Sequence, residues 1–186
     1  MSYSDFSKLR NFSGYANMTF TQVGLWTVTS ASCGLVLSPL WGRLADRIGH
    51  WQVLFFSSSV AALVLPPLWL AGGPGRLEPI WLAAVFDAVA WGGIGTALTN
   101  AVLQSAPSEK RNLYLAWYWM VFASGGILGS LLGGMLGSLH TQLKLFPSPY
   151  HLPILVSMLL RVVAVCYLWW RMQRDKKRAT ALGAQA

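Results

Sequence analysis

Apolar residues run along this chain in five long blocks, and the polar and charged residues gather in the short stretches between them. The blocks cover about residues 22–41, 51–71, 79–104, 112–137 and 152–170, each close to the ~20 residues an α-helix needs to cross a bilayer core of roughly 30 Å. In hydrocarbon every backbone amide must find its partner within the protein, and a block of this length does so as a helix. The pattern therefore predicts an all-α, polytopic membrane protein with about five transmembrane helices. A polar N-terminal segment covers residues 1–20, the transmembrane domain 21–172 and a basic tail 173–186.

Local signals sharpen these spans. Pro39 falls in the last turn of the first, where a missing backbone donor is easiest to tolerate. Pro66-Pro67 removes two donors from the second and predicts a bend. Gly72-Gly73-Pro74-Gly75 predicts a turn, and Pro79 suits the first turn of the third helix. The fourth span carries Gly125, Gly129, Gly133 and Gly137 at intervals of four, with Gly126, Ser130, Gly134 and Ser138 one residue behind. Small residues at that interval form smooth ridges against which other backbones pack closely, so this helix is expected to be buried among others. The loop before the last span contains Pro147 and Pro149, and Pro153 follows at the start of that span; Trp169, Trp170 and Arg171 mark a membrane interface at its end.

The first two spans are joined by Gly42-Arg43-Leu44-Ala45-Asp46-Arg47-Ile48-Gly49, followed by His50 and Trp51. Charges and glycines crowded between two spans predict a tight turn at a membrane surface, with Asp46 placed to accept backbone N–H groups at a helix start. This stretch resembles the G-x-L-A-D-R-x-G-R-K loop signature of the major facilitator superfamily, although His50 and Trp51 stand where the signature has a basic pair. Pro107-Ser108-Glu109-Lys110-Arg111 is similar to the loop two spans further on in that family. The resemblance implies a secondary transporter of the cell inner membrane, with Gly42, Arg43, Asp46, Arg47 and Gly49 in a conformational gate. It also implies two six-helix halves. Five spans, with none ahead of the one preceding the signature, align most simply with a C-terminal half lacking its first helix. The expectation is thus a partial chain, or one that needs the missing helices or a partner chain.

Composition agrees with the membrane reading. Charged residues make up 11% of the chain, against about 25% in soluble domains. The net charge of +8 is concentrated in the tail at Arg171, Arg174, Lys176, Lys177 and Arg178, which reads as a juxtamembrane basic cluster facing lipid and not as a nucleic-acid surface. Cys33 and Cys166 lie within apolar blocks, so neither a disulfide nor a metal site is indicated. His50, His140 and His151 have no partners at ligand spacing, and none of the common hydrolase, zinc-protease or P-loop motifs occurs. No enzyme activity and no cofactor are expected. The first residues lack the apolar core of a signal peptide.

Two ionisable residues fall at bilayer depth, where a charge costs roughly 2.5–3.5 kcal/mol and is a functional candidate by default. Asp87 lies in the third span and Arg161 in the fifth, at similar depths in helices that run the same way. An Asp87–Arg161 pair is geometrically possible, with Asp87 exchanging a proton in a coupled carrier. The alternative is that Arg161 bonds helix carbonyls or a partner in the missing part, while Asp87 faces a water-filled cavity. Gly93, Thr96, Asn100 and Gln104 form a polar stripe on the third span that either lines a pathway or bonds neighbouring helices. Trp91 shares the Asp87 face, as a stacking surface for substrate or as packing. The candidate pathway is Asp87, Trp91, Thr96, Asn100 and Arg161.

Basic residues set the orientation. Nine, namely Arg43, Arg47, Lys110, Arg111 and the five of the tail, fall on one side, and four, Lys8, Arg10, Arg76 and Lys144, on the other. The positive-inside bias then puts the N-terminus outside and the C-terminus in the cytoplasm. The functional expectation is an ion- or proton-coupled carrier of a small solute; the alternative is a non-transporting remnant or assembly partner.

Overall fold

The computed structural model describes residues 18–73, 76–143 and 150–183. The expected polar segment up to residue 17, with Lys8 and Arg10, lies outside them, as do Lys144, Pro147 and Pro149 in the last loop. The described elements are α1 (Phe20–Ile48), α2 (His50–Leu63), α3 (Leu65–Ala71), α4 (Glu78–Ser105), a 3-10 turn (Ser108–Lys110), α5 (Arg111–Leu143) and α6 (His151–Gly183). No strand occurs among the described residues. Five helical segments are long and apolar enough to span a membrane, α2 and α3 together forming one of them.

Helix α1 begins at a reciprocal cap. The Gln22 amide donates to the Thr19 hydroxyl at 3.2 Å, and the Thr19 amide donates to the Gln22 side chain at 2.8 Å. The far end of α1 corrects the sequence reading: residues 42–48 are not a tight turn but the last two turns of the helix. Leu44, Ala45 and Arg47 are good helix formers, and one glycine costs only about 1 kcal/mol. Reversal is left to Gly49 alone, whose φ of 95° is open to glycine at no steric cost. Arg47 lies in the last turn, where the helix dipole favours a cation.

The second span breaks at Val64, between α2 and α3. Pro66 and Pro67 cannot donate to the carbonyls of Ala62 and Leu63, so the ladder fails one turn earlier. The turn before α4 is closed by reciprocal bonds between Gly73 and Arg76, at 2.9 and 3.2 Å. At the other end of the chain, the residues expected as a basic tail continue α6 as helix to Gly183.

Helix α4 is the axis of the bundle. α1 packs along it, α2 and α3 pack on it, and α6 lies against α2 and α3. Its buried positions are Ile80, Ala83, Ala84, Ala88, Ala90, Gly93 and Ala97, nearly all small. Without a hydrophobic drive inside lipid, such positions let backbones approach until dispersion holds them. One cluster joins Trp41 and Ala45 of α1, Val53 and Leu54 of α2, and Ala97 of α4. A second joins Ala61 and Leu65 to Ala83 and Ala90. Trp26 ties α1 to the start of α4, its indole N–H donating to the Ile80 carbonyl at 2.9 Å.

The small-residue contact expected on the fourth span is thus made by α4 within this chain. A methyl group placed on Gly125, Gly129, Gly133 or Gly137 of α5 would meet no atom of the described chain within 4 Å. α5 touches α4 and α6 but is otherwise largely exposed.

Two glycines of α4, close in sequence, separate packing from propensity. A methyl on Gly93 would collide with Ser57 and crowd Trp41, whereas one on Gly95 meets open space. Gly93→Ala is expected to cost about 1–3 kcal/mol through overpacking. Gly95→Ala is expected to be neutral or slightly stabilising, both read by thermal unfolding in detergent.

Candidate functional site

The site is built where three helices bring polar groups to one level. α1, α4 and α6 run the same way, because short connections reverse the chain between them. Ser30, Asp87 and Arg161 lie ten, nine and ten residues from the first residues of those helices, which is ~15 Å along the axis and near mid-membrane depth. The Ser30 hydroxyl donates to Oδ2 of Asp87 at 2.8 Å. Arg161 Nη1 donates to the Ala61 carbonyl at 2.9 Å, in the turn just before the proline break.

Asp87 and Arg161 line one groove of about 320 Å³ with Trp69, Trp91, Gly129 and Gly133. Trp69 is held edge-on by Trp26, with ring centroids 5.9 Å apart. The glycines of α5 give the groove a backbone wall, so α5 faces Asp87 across open space.

An ion pair between Asp87 and Arg161 is not closed here. Among the described residues the ion pair is Arg171–Asp175, at 4.0 Å near the end of α6. Asp87 takes Ser30 and Arg161 takes a carbonyl, both on the same groove. This geometry matches the alternative in which the arginine bonds a helix carbonyl and the carboxylate faces a cavity.

The remaining pathway candidates are scattered. Trp91 is beside Asp87 on the groove, 43% exposed. Thr96 returns its hydroxyl to the Gly92 carbonyl of its own helix at 2.8 Å. Asn100 is half-buried and does not line the groove. Gly93 faces Ser57 and Trp41 inside the bundle. Gln104 reaches His50, with nitrogens 2.6 Å apart, joining the end of α4 to the start of α2.

At that same end lie the signature residues. Arg43, Asp46 and Arg47 are exposed, and Gly42 and Gly49 half-buried. Among the described residues the Asp46 side chain has no hydrogen-bonding or ion-pair partner. The guanidinium of Arg171 lies 5.0 Å from the centre of the Trp51 ring, clasping α6 to α2. Among the described residues no cluster of three His, Cys, Asp or Glu side chains is arranged to hold a metal.

Sequence reasoning missed Ser30 and Ala61. A serine in an apolar helix has no distinguishing pattern, and a backbone acceptor has none at all.

Five apolar spans, with an acid and an arginine on a shared groove, describe a polytopic membrane protein. Over residues 8–186 the chain matches the Major Facilitator Superfamily, and it belongs to that family. It is 27% identical over 145 residues to the tetracycline resistance protein, class H, of Pasteurella multocida, covering 77% of this chain and 35% of that one. Against the uncharacterized MFS-type transporter YuxJ of Bacillus subtilis it is 28% identical over 171 residues, covering 92% of this chain and 39% of the relative. Against the multidrug export protein EmrB of Haemophilus influenzae it is 30% identical over 122 residues, covering 65% and 23%. The chain thus spans well under half the length of these relatives. No solved structure matches it.

The Arg161 bond to Ala61 predicts a structural component to this residue. Arg161→Leu leaves that carbonyl and Asp87 without the guanidinium and is expected to cost about 1–3 kcal/mol. Asp87→Asn, which keeps an acceptor for Ser30, is expected to cost less than half as much, by the same thermal unfolding measurement.

Proposed function

We propose that the chain is the pathway-bearing part of a secondary carrier that moves a small organic solute against a proton gradient, with Asp87 as the exchangeable acid. The observation that carries this reading is the half-buried carboxylate at mid-membrane depth on a groove of about 320 Å³. A charge at such depth costs roughly 2.5–3.5 kcal/mol and is a functional candidate by default. Trp69 and Trp91 supply apolar walls, and Arg161 opposes the acid. Family carriers bind solute between two pseudo-symmetric halves near the midplane and expose it alternately to each side. Relatives named for tetracycline resistance and multidrug export favour an exported amphipathic drug-like molecule over a sugar or an inorganic ion. The signature end, with Gly42, Arg43, Asp46, Arg47 and Gly49, then lies in the cytoplasm of a bacterial inner membrane and acts as the gate. The part played is that of a carrier and not of an enzyme.

A second reading rests on α5. Its open glycine ridge is suited to receiving further helices, which makes the chain an assembly partner whose groove is completed by another half.

Efflux of tetracycline and of a fluorescent cationic dye from a pump-deficient bacterial host tests both. Expression of the chain is expected to raise proton-gradient-dependent efflux, and Asp87→Asn to reduce it at least about tenfold at equal membrane abundance. Efflux unchanged by Asp87→Asn would contradict the assigned role. Efflux that requires a co-expressed second chain would favour the assembly reading.

A further inference from the structure

Serine and threonine hydroxyls in these helices have a ready acceptor in the carbonyl one turn back. Thr27, Thr29, Ser59, Thr96, Ser124 and Ser130 all take it, donating to the carbonyl four residues before them. Ser30 does not. Its hydroxyl leaves α1 and donates across the helix interface to Oδ2 of Asp87 at 2.8 Å. A bond to an ionised acceptor is roughly twice as strong as a neutral one, which is a physical reason for the Ser30 hydroxyl to turn from its own helix to Asp87.

We infer that Ser30 is a positioning residue for Asp87: by binding Oδ2 it fixes the carboxyl group on the wall of the groove. The bond carries one proton. When Asp87 is ionised, the hydroxyl donates to it; when Asp87 takes up a proton, the new O–H donates to the serine oxygen and the serine hydroxyl, keeping its own proton, turns to donate to the carbonyl one turn back. The charge state of Asp87 is thereby linked to which helix the Ser30 hydroxyl bonds. Arg161 of α6 is the charged side chain that faces Asp87 across the groove; α3 contributes Leu65, Pro66 and Trp69, and α5 contributes Gly129 and Gly133, none of them titratable. The inference deepens the carrier reading, on which its role in transport rests, but its physical content can be measured without transport.

The test is an infrared pH titration of the full chain in liposomes, following the protonated-carboxyl band that disappears in Asp87→Asn. The chain has six acidic residues; among the described ones Asp46, Glu78, Glu109 and Asp175 lie at the ends of the candidate spans and Asp87 in the middle of one, so its band is separable from those of hydrated carboxyls. Ser30→Ala removes a bond that favours the carboxylate, so Asp87 keeps its proton to higher pH and the midpoint rises by about 0.5–1 unit. Ser30→Thr retains the hydroxyl and is expected to titrate within about 0.3 unit of the parent. Ser30→Cys, close in size but a weak donor, is expected to follow Ser30→Ala and serves if the alanine variant does not fold. A Ser30→Ala midpoint equal to that of the parent, or a Ser30→Thr midpoint that moves as far as Ser30→Ala, overturns the inference. If the midpoints behave as expected but Asp87→Asn leaves efflux intact, the carrier reading fails and the Ser30 bond stands.

Discussion

The approach of α4 to its neighbours is the constraint on which the bundle depends. Lipid offers no hydrophobic reward for bringing apolar helices together, so contact must come from close backbone packing and a few polar bonds. Ala83, Ala84, Ala88, Ala90, Gly93 and Ala97 supply the first around much of α4. The Trp26 bond to the Ile80 carbonyl and the Ser30 bond to Asp87 supply the second. Gly93 is the tightest point, since the side chain of Ser57 occupies the space a methyl group would need.

This packing also makes the groove. With α1, α2 and α3 packed around much of α4, its Asp87 and Trp91 positions border the groove toward α5 and α6. The proline break at Val64 contributes from the other side. It frees the end of α2 for the Arg161 guanidinium to reach the Ala61 carbonyl and brings Leu65, Pro66 and Trp69 to the groove. Structural and chemical parts are therefore the same residues, and a charge at mid-membrane depth is tolerated because each is individually partnered.

The fold was legible at the level where physics is local. Block lengths gave the five spans, Pro66-Pro67 gave the break, and the eight residues before His50 carried the family resemblance. What escaped was set by contacts between distant segments. Gly42 to Ile48 read as a turn because charges and a glycine are turn-like, but nothing in them prevents a helix, and one positive-φ glycine suffices for reversal. The glycine ridge of α5 stood out from the alanine face of α4 because glycine is conspicuous at fixed spacing and alanine is common everywhere. For the site, the depth of Asp87 and Arg161 was readable from their distance along the spans. Their actual partners were not, since a lone serine and a backbone carbonyl leave no periodic trace.

The contrast between the buried alanines and the groove positions of α4 is open to direct measurement by substituted-cysteine labelling in native membranes, after Cys33 and Cys166 are replaced by serine. Single cysteines at Asp87 and Trp91 are expected to react with a small water-soluble thiol reagent, and those at Ala83, Ala90 and Ala97 to stay silent until the protein is denatured. Reactive cysteines at the alanine positions, with silent ones at 87 and 91, would contradict the placement of both the core and the groove.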